Sequence, residues 1–332
     1  MDVKHHTIDT NGIRMHVAEM GEGPLVILCH GFPECWYSWR HQISALASQG
    51  YRVIAPDQRG YGQTSAPESI ESYDLCRLAS DMVGLVYALG ESSATIVGHD
   101  WGSPVAWTSA LLRPDIFHSV CLMSVPFIPF SIGGPTFTDS VRAAFGEMEF
   151  YQLYFQEPGK AEKELEEDVR TTMLKLLYSG SGDAPEGQGF QFVFPRSRRF
   201  IDLHPTPQSL PGWLTPEDLD YFTAQFERTG FRGGLNWYRN LDRDFELLAF
   251  LAKAVIRQPS LFIAGEKDVC MTMYRDAYRA LEQTMPGITG KHLLAGAGHW
   301  VQQERPAEVN DLLIAFLRET HAGKIAAAAR PV

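Results

Sequence analysis

Short apolar runs alternate with longer amphipathic stretches over the first third of the chain. Residues 6–19 form two strand-like runs around Asn11-Gly12, a hairpin signal. Leu25 to Cys29 is wholly apolar, the mark of a strand buried on both faces. Trp39, Ile43 and Leu46 follow at helical spacing, and Gly50 closes that helix. Arg52 to Ala55 predicts another strand, ended by Pro56. Leu75, Leu78, Met82, Leu85, Val86 and Leu89 mark an amphipathic helix that stops at Gly90. Strands are predicted again at Ala94–Val97 and near Val120–Met123. The same rhythm returns late, with strands at Leu261–Ala264 and His292–Leu294 and helices over 274–284 and Pro306–Leu317. Such alternation predicts an α/β fold: a mostly parallel sheet covered by helices on both faces.

The rhythm breaks at Pro126. From there to Leu248 the chain is rich in aromatics, charged helix and Gly/Pro loops, such as Gly133-Gly134-Pro135. The organisation expected is a core from 1–125 and 249–320, a mainly helical cap over 126–248, and a low-complexity tail from 321 to 332 that frays. An insertion at this point lands at the carboxyl ends of the strands, where open α/β sheets bind ligands.

Composition narrows the function. The 332 residues are 45% hydrophobic and 21% charged, enough for one large core. A net charge of −11 with no Lys/Arg block argues against nucleic acid or an anionic membrane as partner. The cysteines number five, an odd count, and form no C-x-x-C pair, so free thiols in a reducing compartment are expected. No apolar leader opens the chain and no apolar run reaches membrane-spanning length, so a cytoplasmic location is expected.

The chemistry centres on Gly98-His99-Asp100-Trp101-Gly102, which joins a predicted strand to a predicted helix. This is the nucleophile-elbow pattern G-x-S-x-G with aspartate in place of serine. The following helix N-terminus favours a carboxylate there. The plainer alternative is an aspartate that merely caps the helix. Elbow hydrolases order their residues nucleophile, acid, histidine. Here Asp268 follows one late strand and His299 the next, on the same sheet edge as Asp100. Glu266 competes with Asp268, and His299 is one of eleven histidines. Backbone N–H groups of Trp101 and of Phe32, in His30-Gly31-Phe32-Pro33, are the candidate oxyanion donors.

An aspartate nucleophile also selects the reaction. Serine attacking saturated carbon would leave an ether, a dead end. A carboxylate leaves an alkyl ester, which activated water hydrolyses. Epoxide opening or carbon–halogen cleavage therefore fits. An epoxide oxygen leaves as alkoxide and needs an acid. The cap offers Tyr151, Tyr154, Tyr178, Tyr221 and Tyr238, of which at least three are expected to be cap core.

His30-Gly31-Phe32-Pro33, the aspartate elbow, Tyr151-Gln152-Leu153-Tyr154-Phe155-Gln156 and Asn236-Trp237-Tyr238-Arg239-Asn240 together resemble soluble epoxide hydrolases of the α/β-hydrolase superfamily, over about Asn11 to Leu317. The resemblance is to the hydrolase domain alone. It implies Asp100 as nucleophile, Asp268 and His299 as charge-relay partners, Tyr151 and Tyr238 as donors to the epoxide oxygen, and a cis bond before Pro33. Ser103-Pro104 departs from the usual small residues on the first helical turn, where proline is tolerated. Pro33, Gln152, Tyr154 and Trp300 are expected to line the pocket. The expected partners are a small hydrophobic epoxide and water, without cofactor or metal, in a monomer or a dimer. The alternatives are a haloalkane or haloacid dehalogenase using the same aspartate, and a ligand-binding protein on an inactive scaffold. Against the last stands the presence of every candidate catalytic residue. No metal-ligand spacing or dinucleotide fingerprint is found.

Overall fold

The computed structural model describes residues 2–328, with side chains as far as residue 321. The first hairpin forms as its sequence predicts. Strands β1 (Lys4–Thr10) and β2 (Ile13–Met20) pair antiparallel through a two-residue turn. Asn11 and Gly12 both take positive φ there, 45° and 75°, as that tight turn requires.

The remaining strands of the main sheet are β3 (Leu25–Cys29), β4 (Arg52–Pro56), β5 (Ala94–His99) and β6 (Phe117–Met123). After them come the small antiparallel cap ribbon β7 (Met148–Phe150) and β8 (Val193–Pro195). Two further sheet strands, β9 (Ser260–Gly265) and β10 (Ile288–Leu294), follow. The order across the sheet is β1-β2-β4-β3-β5-β6-β9-β10. β2 is antiparallel to β4, and every pair beyond it is parallel. Every residue of β3, β5 and β9 is buried, the outcome expected of apolar runs covered on both faces.

Period-two alternation divides these side chains between two cores. Ile27, Ile54 and Ile96 meet Leu78, Met82, Leu85 and Val105, from helices Leu75–Ala88 and Gly102–Leu112. Val26, Leu28 and Val53 meet Trp39, Ile43, Leu46, Leu313 and Phe316 on the opposite face. The cap core continues the first of these without a break, through Phe155, Phe194, Phe200, Phe222 and Phe231. Polar ties also seat the cap on the sheet. Trp237 Nε1 donates to the Arg59 carbonyl at 3.1 Å, and Trp300 Nε1 to the Leu177 carbonyl at 2.8 Å.

Two elements differ from the sequence expectation. The helix predicted over 274–284 is broken into two short pieces, Arg275–Arg279 and Leu281–Thr284, and a further short helix, Val269–Met273, precedes them. The last helix runs from Pro306 to Ala328, well past Leu317. The segment expected to fray thus continues the helix to Ala328, as its alanines favour, and its final residues lie outside those described. Among the described residues no helix is long and apolar enough to cross a membrane.

Candidate active site

The turn between β5 and its helix puts Asp100 at φ 50°, a left-handed conformation rare for a non-glycine residue. The residues two positions to either side, Gly98 and Gly102, are glycines because the backbones touch. A Cβ on Gly98 would come 2.0 Å from the Gly102 carbonyl oxygen, which would force the helix off the strand. A Cβ on Gly31 would fall 2.4 Å from Asp100 Oδ1. Beyond Gly31 the Phe32–Pro33 bond is cis, and the Phe32 N–H donates to Asp100 Oδ1 at 2.8 Å. Trp101 opens the following turn and is buried.

His299 reaches Asp100 from the loop after β10. Its Nε2 is 3.5 Å from Asp100 Oδ2. On the other side of the ring, Nδ1 is 3.1 Å from Asp268 Oδ1 and 2.8 Å from Ser124 Oγ. Asp268 follows β9 and is buried, while Glu266 is exposed with its carboxylate near the Gly296 N–H. Geometry thus brings Asp268, not Glu266, to His299.

Burial disfavours charge on both partners, and each partner offsets it for the other. For Asp268 burial works upward, but His299, the Ser124 hydroxyl and the Cys270 N–H bring the pKa below the ordinary carboxylate value. For His299 burial works downward. The Asp268 charge and hydrogen bonds to Asp100 and Asp268 prevail, so the imidazole pKa stands well above its usual value.

A second buried chain runs beneath this one and was not read from the sequence. His99 Nε2 lies 2.7 Å from the His299 carbonyl oxygen, and its Nδ1 2.7 Å from Glu34 Oε2. Glu34 is fully buried, and its other oxygen accepts from Gln302 Nε2 at 3.1 Å. Burial would raise the Glu34 carboxyl, but the charge and hydrogen bond of His99 bring it down to about 2. The signal was present: His99 sits inside the elbow and Glu34 beside the cis proline. Ser124 was missed as well; it directly follows β6, at a strained φ of 69°.

The cap supplies the facing wall. Tyr151 and Tyr238 lie with ring centroids 6.0 Å apart, and both line the space above Asp100. Tyr238 meets Trp101 and Phe32 edge-on at 5.0 and 5.4 Å. The Tyr151 hydroxyl accepts from Gln152 Nε2 at 2.8 Å, which leaves its own proton to donate. Burial raises both phenols well above their ordinary pKa, so both remain protonated donors at neutral pH.

Two cavities meet at Asp100, sharing Tyr151 and Cys270. One, about 50 Å³, is walled by Phe32, Pro33, Leu176, Phe190 and Trp300. The other, about 310 Å³, is walled by Trp107, Ile128, Phe130, Gln152 and Phe245. Pro33 and Trp300, expected in the pocket, line the smaller cavity, and Gln152 the larger. Tyr154, also expected there, lines neither. Its hydroxyl donates to Glu164 Oε2 at 2.6 Å, and its ring packs on Phe194 and Phe200 in the cap core. A carboxylate partner holds it there. Tyr178 and Tyr221 are also away from Asp100, near Gln188 and stacked on Tyr37. The arrangement is a half-buried carboxylate opposed across an apolar cleft by two phenols, with a histidine–carboxylate pair behind it.

Known proteins share this arrangement of chain. The family model for the alpha/beta hydrolase fold matches residues 24–306. The sequence is 48% identical to Epoxide hydrolase A of Mycobacterium tuberculosis, over 93% of this chain and 96% of that protein. It is 42% identical to an epoxide hydrolase of Caballeronia sordidicola, over 96% and 95%. Among solved structures, an epoxide hydrolase from an endophytic Streptomyces superposes with a TM-score of 0.92 at 49% identity, covering 96% of each chain.

Proposed function

The chain belongs to the α/β-hydrolase family and, within it, to the epoxide hydrolases, and we propose that Asp100 performs the hydrolysis through a covalent ester that His299 and Asp268 then resolve. The observation that carries this reading is the placement of Asp100 between a histidine–carboxylate pair and two phenols.

In the first step Asp100 Oδ2 attacks a ring carbon, and the strained C–O bond breaks. The departing oxygen takes a proton from Tyr151 or Tyr238 and becomes the hydroxyl of a hydroxyalkyl ester. Oδ1, already held by the Phe32 N–H, becomes the ester carbonyl oxygen. In the second step His299 Nε2 takes a proton from water, and the hydroxide adds to that carbonyl. The oxyanion forms on Oδ1 against the N–H groups of Phe32 and Trp101. Collapse breaks the acyl C–O bond, restores the carboxylate and frees a vicinal diol. The proton on His299 returns to the tyrosinate.

Ester formation also removes the negative charge that faces His299. The hydrogen bond to Asp100 helps to raise the imidazole pKa in the resting enzyme. Once Asp100 is esterified that support is lost while the Asp268 charge stays, so the imidazole pKa moves down toward the neutral base that step two needs. Halide departure requires no proton, so the phenol pair and the relatives both favour epoxides over haloalkanes. The apolar cleft suits a small hydrophobic epoxide. All five cysteines are unpaired thiols, a state suited to a reducing, cytoplasmic setting.

Two measurements test the chemistry. In a single turnover in heavy-oxygen water, the new diol oxygen is expected to come unlabelled from Asp100, with the label left in the protein. A diol labelled from solvent on its first turnover would refute the ester. The second test is the pH dependence of ester breakdown in preformed alkyl-enzyme. Protonated His299 accepts no proton, so below its pKa in that state the rate falls about tenfold per pH unit, and above it the rate is level. A rate independent of pH throughout the acid range would remove His299 from the role of base.

A further inference from the structure

The fold brings a third kind of ligand to the histidine–carboxylate pair. Cys270 lies two residues after Asp268, and its Sγ is 3.8 Å from His299 Nδ1. The ligand atoms of Asp268, Cys270 and His299 all lie within 4.8 Å of one another, and all three residues are buried. We propose that these residues form an inhibitory site for a soft divalent cation such as Zn²⁺ or Cd²⁺. The proposal rests on the assignment of His299 to the second step of epoxide hydrolysis.

Donor chemistry comes first. Imidazole nitrogen, thiolate and carboxylate are the three protein ligands that Zn²⁺ prefers, and thiolate biases a site toward soft ions over Mg²⁺ or Ca²⁺. Spacing agrees. An ion bound at about 2.0–2.3 Å to each of three tetrahedral ligands holds them about 3.3–3.7 Å apart. The observed separations from Nδ1, 3.1 Å to Asp268 Oδ1 and 3.8 Å to Cys270 Sγ, straddle that range. Moreover, Asp268 Oδ2 is buried with no hydrogen-bond partner among the described residues, so one carboxylate oxygen is left over for a ligand. Access is from the cleft, since Cys270 lines both cavities and His299 the smaller one. Water from the cleft completes the fourth position, and the Cys270 thiol proton and the His299 Nδ1 proton are both released to buffer.

The block falls on one step. A metal bound through Nδ1 fixes the imidazole tautomer with its proton on Nε2. That nitrogen then accepts no proton from water, and Asp268 no longer orients the ring. Asp100 and the two phenols are untouched. Metal-loaded enzyme therefore opens one epoxide and stops as the ester.

The experiment uses purified enzyme stripped with a chelator, whose metal-free turnover of an aryl epoxide is measured first. Absence of that turnover would strike the functional reading itself. Given turnover, added Zn²⁺ or Cd²⁺ is expected to lower the steady-state rate at least tenfold, reversibly on chelation, with Mg²⁺ inert. The single-turnover burst of ester, read by intact mass, keeps an amplitude near one per chain. Cd²⁺ is expected to give a cadmium–thiolate ultraviolet absorption that saturates at one equivalent in free enzyme. Cys270→Ser and Cys270→Ala lose that absorption and need at least tenfold more Zn²⁺ for half-inhibition, each compared with its own metal-free rate. Cys76→Ser, at the half-buried thiol elsewhere, keeps both signals. Equal metal sensitivity in the Cys270 variants, a lost ester burst, or no thiolate absorption would each overturn the proposal.

Discussion

His299→Gln enzyme, mixed with an epoxide it accepts, is expected to stop as the covalent ester, its intact mass raised by one substrate. Ester formation needs Asp100 and the phenols, none of which the change removes. Ester hydrolysis needs a base at Nε2, and glutamine has none. A general base typically contributes about 10²–10⁴-fold, so breakdown slows by that factor and the steady-state rate falls with it. Asp268→Asn gives the same direction with a smaller loss, because the imidazole remains but its Nδ1 partner no longer carries charge. Glu266→Gln leaves the rate unchanged, since Glu266 is exposed and bonds only near Gly296. Rapid mixing followed by mass spectrometry and diol assay checks all three. If His299→Gln formed neither ester nor diol while remaining folded, His299 would belong to the first step instead. Loss of ester breakdown in Glu266→Gln would transfer the acid role to Glu266.

The parts of this site legible in the sequence are those where local chemistry leaves a local trace. The apolar run Ala94–Val97 and the glycines around Asp100 announce a strand, a tight turn and a helix within a few residues. The hairpin turn at Asn11-Gly12 is equally local, because two positive φ values select for those residue types. Asp268 and His299 were found from an ordering rule, each lying just past an apolar run. Tertiary contact was then needed to choose Asp268 over Glu266, since two acids two residues apart present the same pattern and only burial separates them.

What escaped the sequence depends on contacts between distant segments. The bond from His99 to Glu34 spans 65 residues, and that to the His299 carbonyl spans 200. Neither leaves a periodicity to detect. Tyr154 was misplaced for a related reason. It is three residues from Tyr151, so helical spacing alone would put both on one face, yet Glu164 draws its hydroxyl into the cap core. The metal-ligand set was invisible because 29 residues separate Cys270 from His299, and no compact motif joins them. Helix Pro306–Ala328 outran its predicted end because Leu317 closes the apolar stripe, whereas the alanine-rich sequence beyond it carries high helix propensity and no periodicity.

The Tyr151→Phe, Tyr238→Phe double variant is expected to lose ester formation by about 10²–10⁴-fold, the usual contribution of a general acid. The two phenols stand on cap segments far apart in sequence, and the fold brings their ring centroids to 6.0 Å above Asp100. An epoxide lying between them has its ring carbon toward the carboxylate and its oxygen toward the hydroxyls, the in-line geometry that ring opening requires. Burial keeps both phenols protonated, so each is a ready donor to the oxygen as negative charge develops on it. One remaining phenol still donates, and each single change therefore slows ester formation less than the pair does. Tyr151→Phe removes the hydroxyl that accepts from the Gln152 amide, and Tyr238→Phe removes the one that Trp101 bonds, while both rings keep their edge-on packing. Ester breakdown in the singles stays near the wild-type rate, because His299 and the Phe32 N–H are unchanged. Single-turnover mass spectrometry separates the two rates. Wild-type ester formation in the double variant would make these tyrosines cap packing alone, and rapid halide release from haloalkanes without any diol from epoxides would turn the site into that of a dehalogenase.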